Sequence, residues 1–304
     1  MAQDYIKVLR ALDGQFQVVG RGTDSARKCE EATGCSVIAG GLDAFLLTNP
    51  VPCSHAIVSV GVEALTSTTL QLLDHGVRAI LIEKPAGISA EQVNAIADKC
   101  SAYNADVFVA YNRRYYAAVL RAQEIIAEDD GITSFNFEFT EWAHVIGKLH
   151  KADGVLENWF LANSTHVVDL AFYLGGKPKV LAAFTSGALD WHPRASVFAG
   201  AGVSEGGALF SYQANWESAG RWGVEVLTGA HRLILRPMEK LQVQKRGSIA
   251  VEAAECDYTL DEQFKPGLYL QTKHFLDGSG EGLCSIAEQA AMMPAYCKIA
   301  GYAA

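Results

Sequence analysis

Three short stretches of this sequence carry the residue types that do chemistry. The first is Arg78-Ala-Ile-Leu-Ile-Glu-Lys-Pro85. Its apolar run, Ala79 to Ile82, has the composition of a buried strand. Proline cannot extend a central strand, so the strand stops at Glu83-Lys84. Ligands of open α/β sheets bind just beyond the carboxyl ends of strands. Lys84 therefore reads either as a solvated charge at a strand end or as an ammonium facing a ligand. The second stretch, Tyr111-Asn112-Arg113-Arg114, follows the strand Asp106 to Ala110. The third, His166-Val-Val-Asp169, lies in an apolar helical pattern over residues 163–174.

The elements around these groups have a clear grammar. Residues 2–12 put Tyr5, Ile6, Leu9 and Leu12 on one helical face. Strand and helix patterns then alternate at short spacing. Strands are expected over Phe16 to Val19, Val37-Ile38, Ala56 to Val60, the Lys84 strand and Asp106 to Ala110. Helices are expected over 25–33, 42–48, 63–75 and 89–103, the last opened by Ser89 with Gln92 three residues on. That alternation is the signature of a parallel sheet with crossover helices. After a helix over 115–128 the pattern changes. Ile132 to Thr140 alternates strictly, and strands are expected over 179–186, 207–216, 222–229, 231–236 and 240–245. Helices over 266–277, near Pro266, and 285–300 close the chain. The fold class is α/β followed by α+β: a Rossmann-type parallel sheet, then a mostly antiparallel sheet with helices. The domains are drawn at 1–118 and 119–304.

Composition narrows the partners. The 304 residues carry a formal net charge of -9, with pI about 5.4 and mean hydropathy +0.10. An acidic chain lacks the basic footprint that nucleic acid or an anionic membrane requires. Cys29, Cys35, Cys53, Cys100, Cys256, Cys284 and Cys297 are odd in number and contain no Cys-x-x-Cys, which reads as reduced thiols in a cytoplasmic protein. No apolar run suits a membrane span and no signal peptide is evident. The eight histidines show no His-x-x-x-His, so no metal site is expected.

Together Glu83-Lys84-Pro85, Tyr111-Asn112-Arg113-Arg114 and His166 to Asp169, each at its strand end or helix start, resemble the Gfo/Idh/MocA oxidoreductases, named for glucose–fructose oxidoreductase and inositol dehydrogenase. The likeness spans nearly the whole chain. It implies an NAD(P)-dependent enzyme that moves a hydride between nicotinamide and a hydroxyl or ketone carbon of a sugar, cyclitol or nucleotide sugar. It places Lys84 beside the reacting carbon, where an ammonium stabilises a developing oxyanion, and makes His166 the general base, with an ordinary pKa near ~6.5. Arg21, Ser25, Gly61, Glu83, Asn112 and Arg113 become cofactor contacts, and Trp142, His150, Asn158 and Asn163 substrate contacts. Trp216 and Trp222 read as packing residues. A homo-oligomer, dimer or tetramer, through the second sheet is also implied.

The sequence departs from the pattern in three places. The first strand and its Gly-x-Gly-x-x-Gly turn, which would cradle the pyrophosphate, are missing ahead of the first helix. After the second strand stands Gly20-Arg21-Gly22-Thr23-Asp24-Ser25. An arginine among hydroxyls suits a 2′-phosphate, so NADP is preferred over NAD. Ala162 occupies the position four residues before the histidine where the family often carries aspartate, and Asn163 beside it cannot titrate. These departures leave two alternatives open: a catalytically silent sugar- or partner-binding relative, and a glycosidase that cleaves by transient oxidation with retained NAD.

Overall fold

The computed structural model describes residues 1–302. The first half runs α1 (Ala2–Ala11), β1 (Val18–Gly20), α2 (Thr23–Thr33), β2 (Val37–Ala39), α3 (Gly41–Leu47), β3 (His55–Val58), α4 (Leu65–Asp74), β4 (Ala79–Glu83), α5 (Ala90–Tyr103), β5 (Asp106–Ala110) and α6 (Ala117–Glu128). Local signals set the boundaries. Ser89 Oγ accepts the Gln92 N–H at 3.3 Å and caps α5. Gly34 closes α2 in the left-handed region at φ 65°, a conformation that favours glycine.

β4 is the interior strand that carries the site. Ile80, Leu81 and Ile82 are 0% exposed, and burying each such side chain is worth about 1.5–3 kcal/mol. Ile82 pairs in parallel with Val58 of β3 and Val109 of β5, and Glu83 pairs with Ala110. Lys84 and Tyr111 are thereby the next residue of each strand, side by side at the carboxyl edge. β1 and β2 form a separate parallel pair. Among the described residues no strand joins β1 to β3. Each of these edges keeps a row of unpaired backbone groups.

The second half continues with β6 (Ile132–Glu138), α7 (Ala143–Ile146), α8 (Thr165–Gly175), β7 (Pro178–Ser186), β8 (Val197–Ser204), β9 (Leu209–Asn215), β10 (Gly223–Thr228), β11 (His231–Leu235), β12 (Gln242–Lys245), β13 (Val251–Ala253), α9 (Thr259–Gln263), α10 (Leu268–Leu276), β14 (Cys284–Ser285) and α11 (Ile286–Ala300). Eight strands line up as β13-β12-β11-β10-β6-β9-β8-β7. Only the β6–β9 pairing is parallel. The alternation in β6 turns Phe135 and Phe137 inward, stacked on Phe210 and Tyr212 at 5.3 and 5.2 Å. Phe172 of α8 meets Phe137 edge-on at 5.5 Å. These contacts fix α8, and with it His166, against the sheet. β14 then adds an antiparallel edge to β5, and α11 packs along α5.

Several elements differ from the sequence reading. The strand expected over Phe16 to Val19 forms at Val18–Gly20, where pairing with β2 is available. β8 and β13 were not expected. Val197–Ser204 is rich in Gly and Ala and lacks a strand composition, yet seven of its residues pair with β9, because tertiary pairing overrides propensity. β14 is two residues long and has no pattern to read. The last two helices begin at Leu268 and Ile286. Pro266 precedes the left-handed Gly267, at φ 72°, so it lies outside the helix it was expected to start. The helix expected over 163–174 opens instead with a π turn, Phe160–Ser164, ahead of α8.

Candidate active site

The Lys84 ammonium donates to the Ala162 carbonyl at 2.6 Å. This bond ties the end of β4 to the π turn that precedes His166. In a π turn the backbone bond reaches five residues, here Thr165 N–H to Phe160 O, and such turns recur at functional sites. Thr165 Oγ donates to the Leu161 carbonyl at 2.8 Å, which leaves the Ala162 carbonyl for the lysine. The Pro85 carbonyl, on the other side of Lys84, accepts from the buried Gln289 of α11 at 3.1 Å. Thr66 Oγ donates to Ala86 O at 3.0 Å. The lysine therefore sits in a turn held from three elements.

Burial shapes the electrostatics. It pushes the Lys84 ammonium down to about 8, with Arg113 adding to the fall while Glu83 opposes it. His166 is driven well below the ordinary histidine range, first by burial and then by the charges of Arg113, Lys84 and Lys265. It is a neutral imidazole near pH 7. Its Nδ1 is buried without a protein partner, and its ring meets Tyr111 edge-on at 6.0 Å and lies 6.2 Å from Trp222. A neutral imidazole beside an ammonium whose proton is easily released can accept a proton from a hydroxyl while the cation stabilises the oxygen left behind.

The remaining expected residues divide into groups that meet this centre and groups that do not. Glu83 is engaged elsewhere: the Tyr5 hydroxyl donates to its carboxylate at 2.8 Å, and burial raises its pKa. Asn112 turns its amide to the Pro266 carbonyl at 2.9 Å. Arg113 lies over the Trp222 ring at 4.9 Å, and its Nε is buried without a partner. Its neighbour Arg114 is instead clamped by Asp169 at 2.9 and 2.6 Å and by Glu288 at 2.9 Å. The His166 to Asp169 motif thus contributes a buried ion pair that anchors α8. Asn163 donates to Glu141 at 2.9 Å. Asn158 is turned back to the Gly154 carbonyl, and His150 is exposed on the 147–153 segment. Trp142 is exposed, lies under the Arg221 guanidinium at 4.9 Å, and donates to Gly220 O. A cavity of about 680 Å³ lined by Trp142, Trp191, Trp216 and Glu217 lies beside α7. It shares only Trp142 with these groups.

Three residues of the centre were not expected. Glu141, 2% exposed, accepts from Asn163 and from Ser164, the latter at 2.8 Å, and burial raises its pKa. Arg221 and Trp222 follow one another before β10, and Trp222, expected to be a packing residue, faces His166 as well as the core. A buried carboxylate and a Trp beside an Arg carry no spacing signal. Only the chain's return past α8 reveals them.

At the far end, Arg21 lies on the turn after β1 and Ser25 in the first turn of α2. Arg21 stands 3.8 Å from Glu63, Ser25 Oγ donates to the Gly22 carbonyl, and Gly61 lies three residues beyond β3, just ahead of Glu63. A dinucleotide can be tested against these residues. The unpartnered His166 Nδ1 and Arg113 Nε leave polar atoms free at one end, and at the other the mostly exposed Arg21, loosely paired with Glu63, presents a guanidinium. Both ends fit. Among the described residues the start of α1 offers backbone N–H groups but no glycine turn.

No protein-family model matches the chain and no curated protein does by sequence. Solved structures do. A levoglucosan dehydrogenase in complex with NADH aligns with TM-score 0.78 at 17% identity, over 98% of this chain and 93% of that one. A UDP-N-acetylglucosamine 3-dehydrogenase, GnnA, from Acidithiobacillus ferrooxidans aligns with TM-score 0.74 at 14% identity, over 97% and 92%. An oxidoreductase from Agrobacterium radiobacter, in complex with NAD+, L-tartaric acid and magnesium, aligns with TM-score 0.75 at 14% identity, over 97% and 91%.

Proposed function

We propose that this chain, which has the two-domain fold of these sugar dehydrogenases, is an NAD(P)-dependent oxidoreductase acting on a hydroxyl or ketone carbon of a sugar-like substrate. The domains are taken as 1–118 and 119–304. The observation that carries the reading is the bond from Lys84 to the Ala162 carbonyl, which joins the strand-end lysine to the turn bearing the His166 helix. A bound nicotinamide would supply the hydride acceptor or donor. The protein's own work is positioning and proton handling. Lys84 directs its ammonium at the substrate oxygen and steadies negative charge there. His166, neutral through burial, accepts the hydroxyl proton in oxidation and returns it in reduction. Arg21 and Ser25 would hold the adenosine end, with a 2′-phosphate favoured by the arginine.

Assay with a panel of sugars, sugar acids and cyclitols and either NAD+ or NADP+, following absorbance of the reduced cofactor, tests the reading. Wild type is expected to turn over, and Lys84→Ala to lose at least two orders of magnitude in kcat. Unchanged turnover in Lys84→Ala removes the assigned role. A second reading, a sugar-binding protein without redox activity, is favoured by the unpaired edges of β1 and β3. It predicts sugar binding with no cofactor binding.

The oligomer belongs to the same proposal. Val180, Phe184 and Leu209 are exposed on β7 and β9, and the pairings Val180–Val203 and Val203–Leu209 put Val180 and Leu209 on one sheet face. That face would meet a second copy of the chain.

A further inference from the structure

Two neighbouring arginines have opposite fates. Arg114 is buried and fully answered by Asp169 and Glu288. Arg113, one residue earlier and also largely buried, has no side-chain hydrogen bond and no ion pair among the described residues. Its guanidinium lies 4.9 Å from the Trp222 ring and 5.9 Å from Tyr116. A guanidinium out of water without a counter-charge is costly, and stacking on aromatic faces offsets only part of that cost.

A second arginine reaches the same indole. Arg221 lies 5.2 Å from the Trp222 ring and 4.9 Å from Trp142. Its nearest carboxylate oxygen belongs to Glu141 at 4.0 Å, beyond hydrogen-bond reach, and the other Glu141 oxygen is occupied by Asn163 and Ser164. Glu239 and the buried Glu141 act on Arg113 only through space. The Trp222 indole N–H, in a side chain 6% exposed, is buried and also without a partner. His166 lies 6.2 Å from the same ring. Two guanidinium forks without a hydrogen-bonded carboxylate, an unpartnered indole N–H and the proposed base thus surround one indole ring, in a chain whose net charge is -9.

We propose that Arg113, Arg221 and the Trp222 N–H receive an anionic group of the substrate, so that the site takes an acidic sugar derivative rather than a neutral sugar. A guanidinium fork matches carboxylate and phosphate alike, so the group is an oxyanion carried either by a sugar acid or by a phosphorylated sugar. The anion would give Arg113 the hydrogen-bonded counter-charge it lacks and set the distance between the reacting carbon and His166. This inference rests on the proposed dehydrogenase reading for what the substrate does, and on the arginines for what it is.

Calorimetric titration of the full chain with D-glucuronate, glucose 6-phosphate and methyl glucoside, each with and without NADH, is the test. At least one anion is expected to bind ten-fold or more tightly than methyl glucoside, and to weaken steeply with salt. The two anions separate carboxylate from phosphate. Arg221→Gln, at a partly exposed side chain that does not threaten folding, should cost the anion ten-fold or more and leave methyl glucoside unchanged. Arg113→Gln should do the same where it folds. Equal binding of the neutral sugar, no binding of any of the three, or an anion affinity that Arg221→Gln alters by less than two-fold overturns the proposal. Arginine-dependent anion binding with no oxidation of any substrate would leave it standing and remove the dehydrogenase reading instead.

Discussion

Lys84→Met separates stability from function at one residue. The ammonium is held about 2.5 pH units below its ordinary value, from 10.5 to about 8. At 1.36 kcal/mol per unit, the charged form costs the fold about 3 kcal/mol. The residue is half-buried by its own surface, so about 2 kcal/mol is the realised figure. Methionine removes that cost and also leaves the Ala162 carbonyl without its donor, a loss of about 1 kcal/mol. The variant should therefore be about 1 kcal/mol more stable than wild type at pH 7. The sign then changes with pH. A folded pKa below the unfolded one means that the unfolded chain holds more protons between pH 8 and 10.5, so wild-type stability rises across that window. Above it the penalty is gone and only the lost bond remains, so wild type is the more stable. Urea unfolding of both proteins at pH 7, 8, 9 and 10 measures the difference, and the tyrosines common to both cancel. A difference that stays flat from pH 7 to 10 refutes the reasoning, because it would mean an ordinary, solvated ammonium. Turnover in the same variant should fall although its stability rises.

Two other outcomes follow from the same geometry. His166→Gln should lower kcat by about 10²–10⁴-fold. Because burial and three cations hold His166 below the ordinary range, the acid limb of the wild-type kcat/KM profile should fall below pH 6.5, with activity lost as pH drops through that lowered value; a limb above pH 7 contradicts the assignment. Asp169→Asn leaves the buried Arg114 with Glu288 as its one carboxylate and should destabilise by up to about 3–5 kcal/mol in urea unfolding, and a loss under about 1 kcal/mol would show that the pair is not the anchor of α8.

Much of the first half was legible because its signals are local. The Lys84 strand, the Ser89 cap and the alternation of β6 each rest on a few adjacent residues. The position of Lys84 and Tyr111 side by side follows from the parallel register, which the strand ends already suggest. Legibility failed where contacts are distant. β8 pairs through backbone in spite of a Gly- and Ala-rich sequence. Glu141 reaches Ser164 across 23 residues, and Arg221 and Trp222 come back to Arg113 from more than a hundred residues on. Glu83 and Asn112 stand where expected but have turned their polar atoms to Tyr5 and Pro266. A sequence motif fixes where a backbone passes, not which partner wins the side chain.

The proposed function requires a nicotinamide cofactor across the carboxyl edge of β4, with Lys84 against its reactive end. Titration of the purified chain into NADPH and into NADH, read by cofactor fluorescence, tests it most directly. A saturable one-to-one change is expected, tighter for NADPH because of Arg21, and weakened in Lys84→Met. A flat signal with both cofactors at concentrations on the order of 1 mM, the upper end of ordinary enzyme affinities, would contradict it.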